Sequence, residues 1–359
     1  MLPDFRPLAG VKVVDLSHVI AGPFATFHLA QLGADVLKIE APDGDVMRRG
    51  SRGAQAFVAL NAGKRKVRLD LAGPEARAKV MAEVQAADVF VDNLRPGSTE
   101  RLGLGWEALH AVNRRLVYCS ISGFGRDTER PAYDHVVQAA TGMTLASGAE
   151  GDPPSKVGFP LIDAGAGIIA ALAILAGLRE RDRRGEGMLL DVSMAGAALQ
   201  LMYPLTCEAL TSGTRPLRQG SQAFSGSPAA DVFETGDGGR IALAANTPRQ
   251  LLDLLDVLGL AAMATDAALF DPPLSAGAPA AFLVSKDPAA VKARLATAIR
   301  GEVGPDLELR LTAARVPAAV VKSLDVFSRE AVEAGTIAPL RLDDEGTVVL
   351  SPGLGFRVR

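Results

Sequence analysis

The sequence predicts an α/β protein built on an open, mostly parallel, doubly wound sheet. Three observations carry this reading. Short Val/Ile-rich runs alternate with helical stretches through the first half of the chain, the rhythm of βαβ units. Glycine and proline stand at the junctions, as at Gly22-Pro23, Gly33 and Pro74. The length, 359 residues with 48% apolar side chains, suits two domains at about 150 residues each.

Val11 to Asp15 is the first strand. Gly22-Pro23 opens a helix that runs through Leu32 and stops at Gly33. Ala34 to Ile39 is the next strand, Lys66 to Leu71 a third, and Pro74 to Ala86 a helix with proline near its first turn. Asp88 to Asp92 reads as a short buried strand, Trp106 to Val112 as a helix, and Arg115 to Ile121 as another strand. From Ala164 a small-residue helix leads to a turn at Gly185 to Gly187 and a strand from Met188 to Val192. A second long helix is expected from Ser193 to about Ser212. Residues 213–227, rich in Gly, Ser, Gln and Pro, read as a linker. Asp231 to Ala244 looks like a hairpin turning at Thr235 to Gly239. Helical, Ala- and Leu-rich sequence follows to about Ala314, then a strand from Val316 to Val321 and a tail containing Val348 to Pro352.

Composition narrows the function classes. Apolar residues at 48% and charged residues at 22% match soluble globular proteins, which excludes a disordered chain, a collagen or a disulfide-stapled scaffold. With 38 basic and 41 acidic side chains the net charge is −3, against the basic excess of a general nucleic-acid binder. Cys119 and Cys207 never cluster with His18, His28, His110 or His135, and no zinc spacing occurs, so a cytoplasmic, metal-free protein is expected. No signal peptide is indicated. The longest apolar run, Ala164 to Leu178, is 15 residues, short for a bilayer span and suited to a buried helix.

No Walker loop and no GxSxG elbow are present, and Gly123-Phe-Gly125 lacks the third glycine of a dinucleotide fingerprint. The most informative stretch is Pro160 to Ile169, where Asp163 precedes a helical turn of Ala and Gly. Asp163 reads either as a helix N-cap or as a functional carboxylate that the helix N-terminus keeps ionised, while small residues admit a bulky ligand. Both readings can hold at once. His135 is a candidate general base or an ordinary surface or core histidine. Asp92 to Gly97 with Arg101 lies at the C-terminal end of a strand, where doubly wound sheets bind ligands, or is simply a polar turn. Lys64 to Arg68 is either a solvated charge cluster or a phosphate contact.

Taken in order, several segments resemble the family III CoA-transferases over nearly the whole chain. They are Leu8 to Leu16, Ala21 to Pro23, Leu32 to Glu40, Leu60 to Arg65, Asp92 to Gly97, Arg101 to Gly103, Tyr133 to Gln138, Asp163 and Gly185 to Gly187. The resemblance implies an open Rossmann-like α/β domain built from both chain ends, a smaller α+β middle domain, and an interlocked homodimer. Boundaries would fall at residues 1–212 for the large domain and 228–314 for the small one, with 315–359 returning to the large domain. It implies acyl-CoA and a small carboxylic acid as partners, and no nucleic acid, membrane or metal.

By the same resemblance Asp163 is the catalytic nucleophile, exchanging CoA through an aspartyl-acyl anhydride and an aspartyl-CoA thioester. Implied CoA contacts are Val19 and Ile20 in the first βα loop, Leu69 and Leu71 around the adenine, then Asn93, Leu94, Arg95 and Arg101. Tyr133, Asp134 and Met194 would lie nearer the thioester. Two departures stand out. Ala41 replaces a basic residue found in some members, so the phosphate contact there is either lost or supplied by another residue such as Arg48 or Arg49. The middle-domain segment Gly220 to Pro228 lacks the glycine run that covers the acyl group in the family. The α-methylacyl-CoA racemases share this superfamily and are the alternative, with a non-catalytic CoA-binding protein as the third reading. The racemases pair a histidine with the aspartate and add a middle-domain glutamate. Here Tyr133 stands at the histidine position, His135 on the wrong side of Asp134, and Asn246 in the place of the acid.

Overall fold

The computed structural model describes residues 5–49, 53–275 and 282–358. Six strands, β1 (Lys12–Asp15), β2 (Asp35–Glu40), β3 (Arg65–Arg68), β4 (Val89–Asp92), β5 (Val117–Ser122) and β6 (Met188–Ser193), form one sheet in the order β3-β2-β1-β4-β5-β6. Every pairing in it is parallel. The chain winds outward from β1 to β3, then returns to build β4 to β6 on the other side. The strand order therefore reverses between β1 and β4, and the crevice beyond their C-terminal ends is where such sheets bind ligands.

Helices follow the strands: α1 (Ala21–Gln31), α2 (Gly53–Asn61), α3 (Pro74–Gln85), α4 (Ser98–Arg101), α5 (Trp106–Val112), α6 (Asp134–Ala140), α7 (Met143–Ala146), α8 (Leu161–Arg184), α9 (Met194–Leu201) and α10 (Tyr203–Ser212). The strand alternation sorts them into two layers. Val13, Val89 and Val91 pack with Ala25, Leu29 and Ile174 of α1 and α8. Val14, Phe90 and Tyr118 pack with Val80, Val84 and Leu109 of α3 and α5. By length and apolarity α8 could cross a bilayer, but half of its apolar window is buried, with α1, α9, β5 and β6 around it. Its small first turn serves that packing. A Cβ on Gly167 would lie 2.8 Å from the Ala21 carbonyl oxygen, so α1 and α8 meet at a distance only glycine permits.

Where the structure departs from expectation, the causes are specific. Residues 193–212 form two helices, because Pro204 lacks the N–H that a continuous helix would need there. The third strand covers Arg65–Arg68 and stops before Leu71. Lys64 is neither solvated nor free for phosphate. Its ammonium is fully buried, 3.1 Å from the equally buried Asp15 carboxylate, with bonds to the Pro23 carbonyl and Asn61. Arg65 pairs with Asp35, and Lys66 with Asp344.

The chain divides into two compact units, one of Met1–Leu145, Lys156–Pro216 and Ala334–Arg359, the other of Ala146–Ser155 and Leu217–Glu333. In the first unit the tail forms a hairpin of β10 (Leu340–Asp344) and β11 (Thr347–Ser351), turning at Glu345 and Gly346, both at positive φ. Leu342 packs with Phe27, Val58 and Ala62. In the second unit β7 (Val232–Glu234), β8 (Arg240–Leu243) and β9 (Ala318–Val320) form an antiparallel sheet. It is covered by α11 (Pro248–Val257), α12 (Pro288–Ile299) and α13 (Gly304–Ala313), and α14 (Leu324–Glu333) follows. The return expected at residue 315 falls instead at Ala334, because β9 completes the edge of β8. The stretch expected as a linker belongs to this unit from Leu217 on. Its buried Ser227 donates to the Ala245 carbonyl at 2.7 Å.

Candidate active site

Three segments of the first unit converge at the switch point: the loop from β1 to α1, the loop after β4, and the N-terminus of α8. The cleft between them is lined by Val19, Ile20, Asn93, Leu94, Arg95, Tyr133, Asp163 and Met194, with His18, Gly123 and Arg130. A second cleft of about 530 Å³ adjoins it, lined by Leu69, Leu71, Ile39 and Val46, and the two share His18 and Leu94. Ten of the twelve residues expected at the site thus line these two neighbouring clefts.

Arg101 and Asp134 line neither cleft. Arg101 lies on α4, where its guanidinium donates to the Ser98 hydroxyl at 2.9 Å. Asp134 is committed within the fold. Its Oδ2 accepts the Ile162 and Asp163 N–H groups at 2.7 and 3.1 Å, and its Oδ1 accepts Gln138 Nε2 at 2.6 Å. Asp134, not Asp163, therefore caps α8. Asp163 is the third residue of that helix, and its carboxylate has no hydrogen-bond or ion-pair partner among the described residues. Nor do the small residues beside it admit a ligand, since Gly165 meets Leu201 and Gly167 meets Ala21 and Phe24.

The expectation that the helix N-terminus keeps Asp163 ionised meets an opposing influence. Burial, reinforced by the nearby Asp134 charge, pushes its pKa up to about 6. Asp163 is still mostly ionised at neutral pH. If it acts as a nucleophile, kcat/KM should fall as pH drops through about 6, and a pH–rate profile reads this directly. Asp134→Asn keeps an oxygen for the Ile162 N–H but removes the like charge, so the acid limb should move to lower pH. A limb that stays put would show that Asp134 does not act on Asp163.

Other groups refine the picture. Burial holds His18 below the ordinary histidine pKa, with Asp45 opposing, which favours the neutral imidazole. Asp92, at the end of β4, is pushed up to about 6 by burial. Arg48 makes two bonds to Glu40 at 3.0 Å and stacks over Phe57, whereas Arg49, paired with Asp43, lines the second cleft. His135 stacks on Tyr133 and does not line the groove. Arg130 was not singled out in the sequence. Its guanidinium lies 3.9 Å over the Phe124 ring and lines the Asp163 cleft, and only its place three residues before Tyr133 could have drawn notice. In the second unit, the Ser225 hydroxyl donates to Asn246 Oδ1 at 2.5 Å, and Ser221 donates to Asp231. Among the described residues no cluster of three His, Cys, Asp or Glu is placed to hold a metal ion.

Comparison with known proteins agrees with this architecture. Residues 8–358 match the profile of CoA-transferase family III. The succinate–glutarate CoA-transferase of Agrobacterium fabrum is 34% identical over 275 residues, 72% of this chain and 68% of its own length. The acetyl-CoA:oxalate CoA-transferase of Acetobacter aceti is 38% identical over 270 residues, 72% of this chain and 69% of its own length. Among solved structures, a CAIB/BAIF family protein from Brucella suis superposes with a TM-score of 0.81 at 29% identity, covering 98% of this chain and 93% of that one. A match spanning nearly the whole chain, with the groove at the β1/β4 switch point, settles the class: this chain belongs to CoA-transferase family III, an enzyme family acting between acyl-CoA and carboxylates.

Proposed function

We propose that this chain moves CoA from an acyl-CoA donor to a free carboxylic acid, with Asp163 as the nucleophile. The observation that carries this is the unpartnered, partly buried Asp163 carboxylate in the groove at the switch point. A carboxylate suits the task, because the anhydride it forms preserves the energy of the thioester it replaces. Asp163 attacks the thioester carbonyl, the C–S bond breaks, and CoA thiolate leaves an acyl-aspartyl anhydride. The thiolate then attacks the aspartyl carbonyl, releasing the donor acid and forming an aspartyl-CoA thioester. The acceptor carboxylate attacks that thioester, giving a new anhydride and thiolate, and thiolate attack on its acyl carbonyl yields the new acyl-CoA and restores Asp163.

In this reading Leu69 and Leu71 flank the adenine, while Val19, Ile20, Leu94 and Arg95 line the path of the pantetheine arm toward Tyr133, Met194 and Asp163. Relatives named for succinate, glutarate and oxalate support small carboxylic acids as substrates. The chain would act as a homodimer. Ile168 and Leu172 of α8 and Leu201 and Tyr203 beyond it are exposed apolar side chains that a second copy would cover.

The test is turnover of a panel of acyl-CoAs and free acids in D2O, read by mass spectrometry. A new CoA ester without deuterium in the donor supports the proposal and identifies the pair. Deuterium at the α-carbon without exchange of acids would favour the racemase. CoA binding with neither change across the panel would favour a non-catalytic protein.

A further inference from the structure

The geometry points to Asn93 as a positioning residue that holds the β1–α1 loop in the shape presenting Val19 and Ile20 to acyl-CoA; this rests on the CoA-transfer reading above. The Asn93 side chain clamps one residue of that loop from both sides. The His18 N–H donates to Asn93 Oδ1 at 2.8 Å, and Asn93 Nδ2 donates to the His18 carbonyl at 2.8 Å. The preceding carbonyl, that of Ser17, accepts Lys38 Nζ at 2.7 Å. Lys38 is itself fully buried and lies 3.3 Å from Asp45.

The residue that follows is the informative one. Val19 has φ 66°, in the left-handed region that a β-branched side chain avoids. Such strain persists only where the surroundings over-determine it, and it gathers at binding sites. On the far side of the loop Gly22 packs directly on Ser17, since a Cβ there would lie 2.2 Å from Ser17 Cβ. Val19 and Ile20 are thus suspended between a clamped His18 and a packed helix start, and both line the Asp163 cleft. Without the Asn93 clamp, Val19 is free to relax to negative φ, and the backbone that meets the ligand turns away. Asp163 is held independently, through the Asp134 cap on α8, so the loss should fall on binding rather than on chemistry.

The experiment is a double-mutant cycle in the full chain, Asn93→Ala with Val19→Gly, because glycine adopts positive φ without strain. Asn93→Ala is expected to raise the acyl-CoA KM and the calorimetric CoA Kd about tenfold, with kcat within about threefold. With glycine at position 19, the same Asn93→Ala change should cost about threefold or less. An equal Asn93→Ala loss in both backgrounds overturns the proposal, because a direct ligand contact does not depend on residue 19. Asn93→Asp, which keeps the acceptor for the His18 N–H and loses the donor to its carbonyl, carries the same cycle if the alanine variant does not fold. A crystal structure of the Asn93 variant without ligand separates this claim from the functional reading. Val19 at negative φ supports the clamp whatever the enzyme transfers, and Val19 still near +66° overturns it.

Discussion

Replacing Asp163 by alanine is expected to lower CoA transfer by about 10⁴-fold or more, the scale on which loss of a covalent nucleophile is felt. Acyl-CoA binding should change little, because the groove residues that would hold adenine and pantetheine belong to other elements. No other carboxylate lines the Asp163 cleft among the described residues, so no neighbour can assume the covalent role. Fold stability should not fall. A carboxyl whose folded pKa is raised to about 6 destabilises the folded state above that pH, so the alanine variant should be at least as stable at pH 7. Hydroxylamine offers a direct check, since the aspartyl-CoA thioester or the anhydride would be captured as a hydroxamate at Asp163 in the wild type. Turnover by Asp163→Ala within about tenfold of wild type would refute the nucleophile assignment.

The second large effect is on stability and lies behind the site. Lys64→Met should cost about 3–5 kcal/mol in denaturant unfolding, because it removes the ion-pair partner in direct contact with the fully buried Asp15 and leaves only the more distant Lys38 charge. Asp15 accepts bonds from Thr26 at 2.6 Å, from the Ser17 N–H at 3.0 Å and from the Ser17 hydroxyl, so its carboxylate ties β1 to the following loop and to the middle of α1. Burial lowers the Lys64 pKa to about 7 against the pull of Asp15. Combining Lys64→Met with Asp15→Asn should destabilise less than Lys64→Met alone, because the poorly compensated charge is gone. A loss below about 1 kcal/mol for Lys64→Met would mean that water reaches Asp15 and screens it.

The pair also shows where reading the sequence stops. Nothing in Lys64 to Arg68 distinguishes a buried lysine from a solvated one, because its partner Asp15 lies 49 positions away. Asp134 was expected at the ligand for the same kind of reason. Its function as the cap of α8 depends on Ile162 and Asp163, 28 and 29 positions on. The tail hairpin was not read from the sequence, which marked residues 348–352 only as part of a tail. Two short segments there become strands because β10 and β11 pair with each other.

The sequence by itself determined the βαβ order, the break points at glycine and proline, the membership of the family and the candidate nucleophile. Those signals are local: a period of two or 3.6, a residue that cannot continue a helix, a motif written in consecutive positions. The tertiary structure alone decided that Asp134 caps and Asp163 stays free, that Asn93 grips His18, that Lys64 is buried, and that the chain leaves the smaller unit at Ala334. Each of these follows from contacts between residues far apart in the chain, where burial removes water and a hydrogen bond or charge must find its partner across the fold.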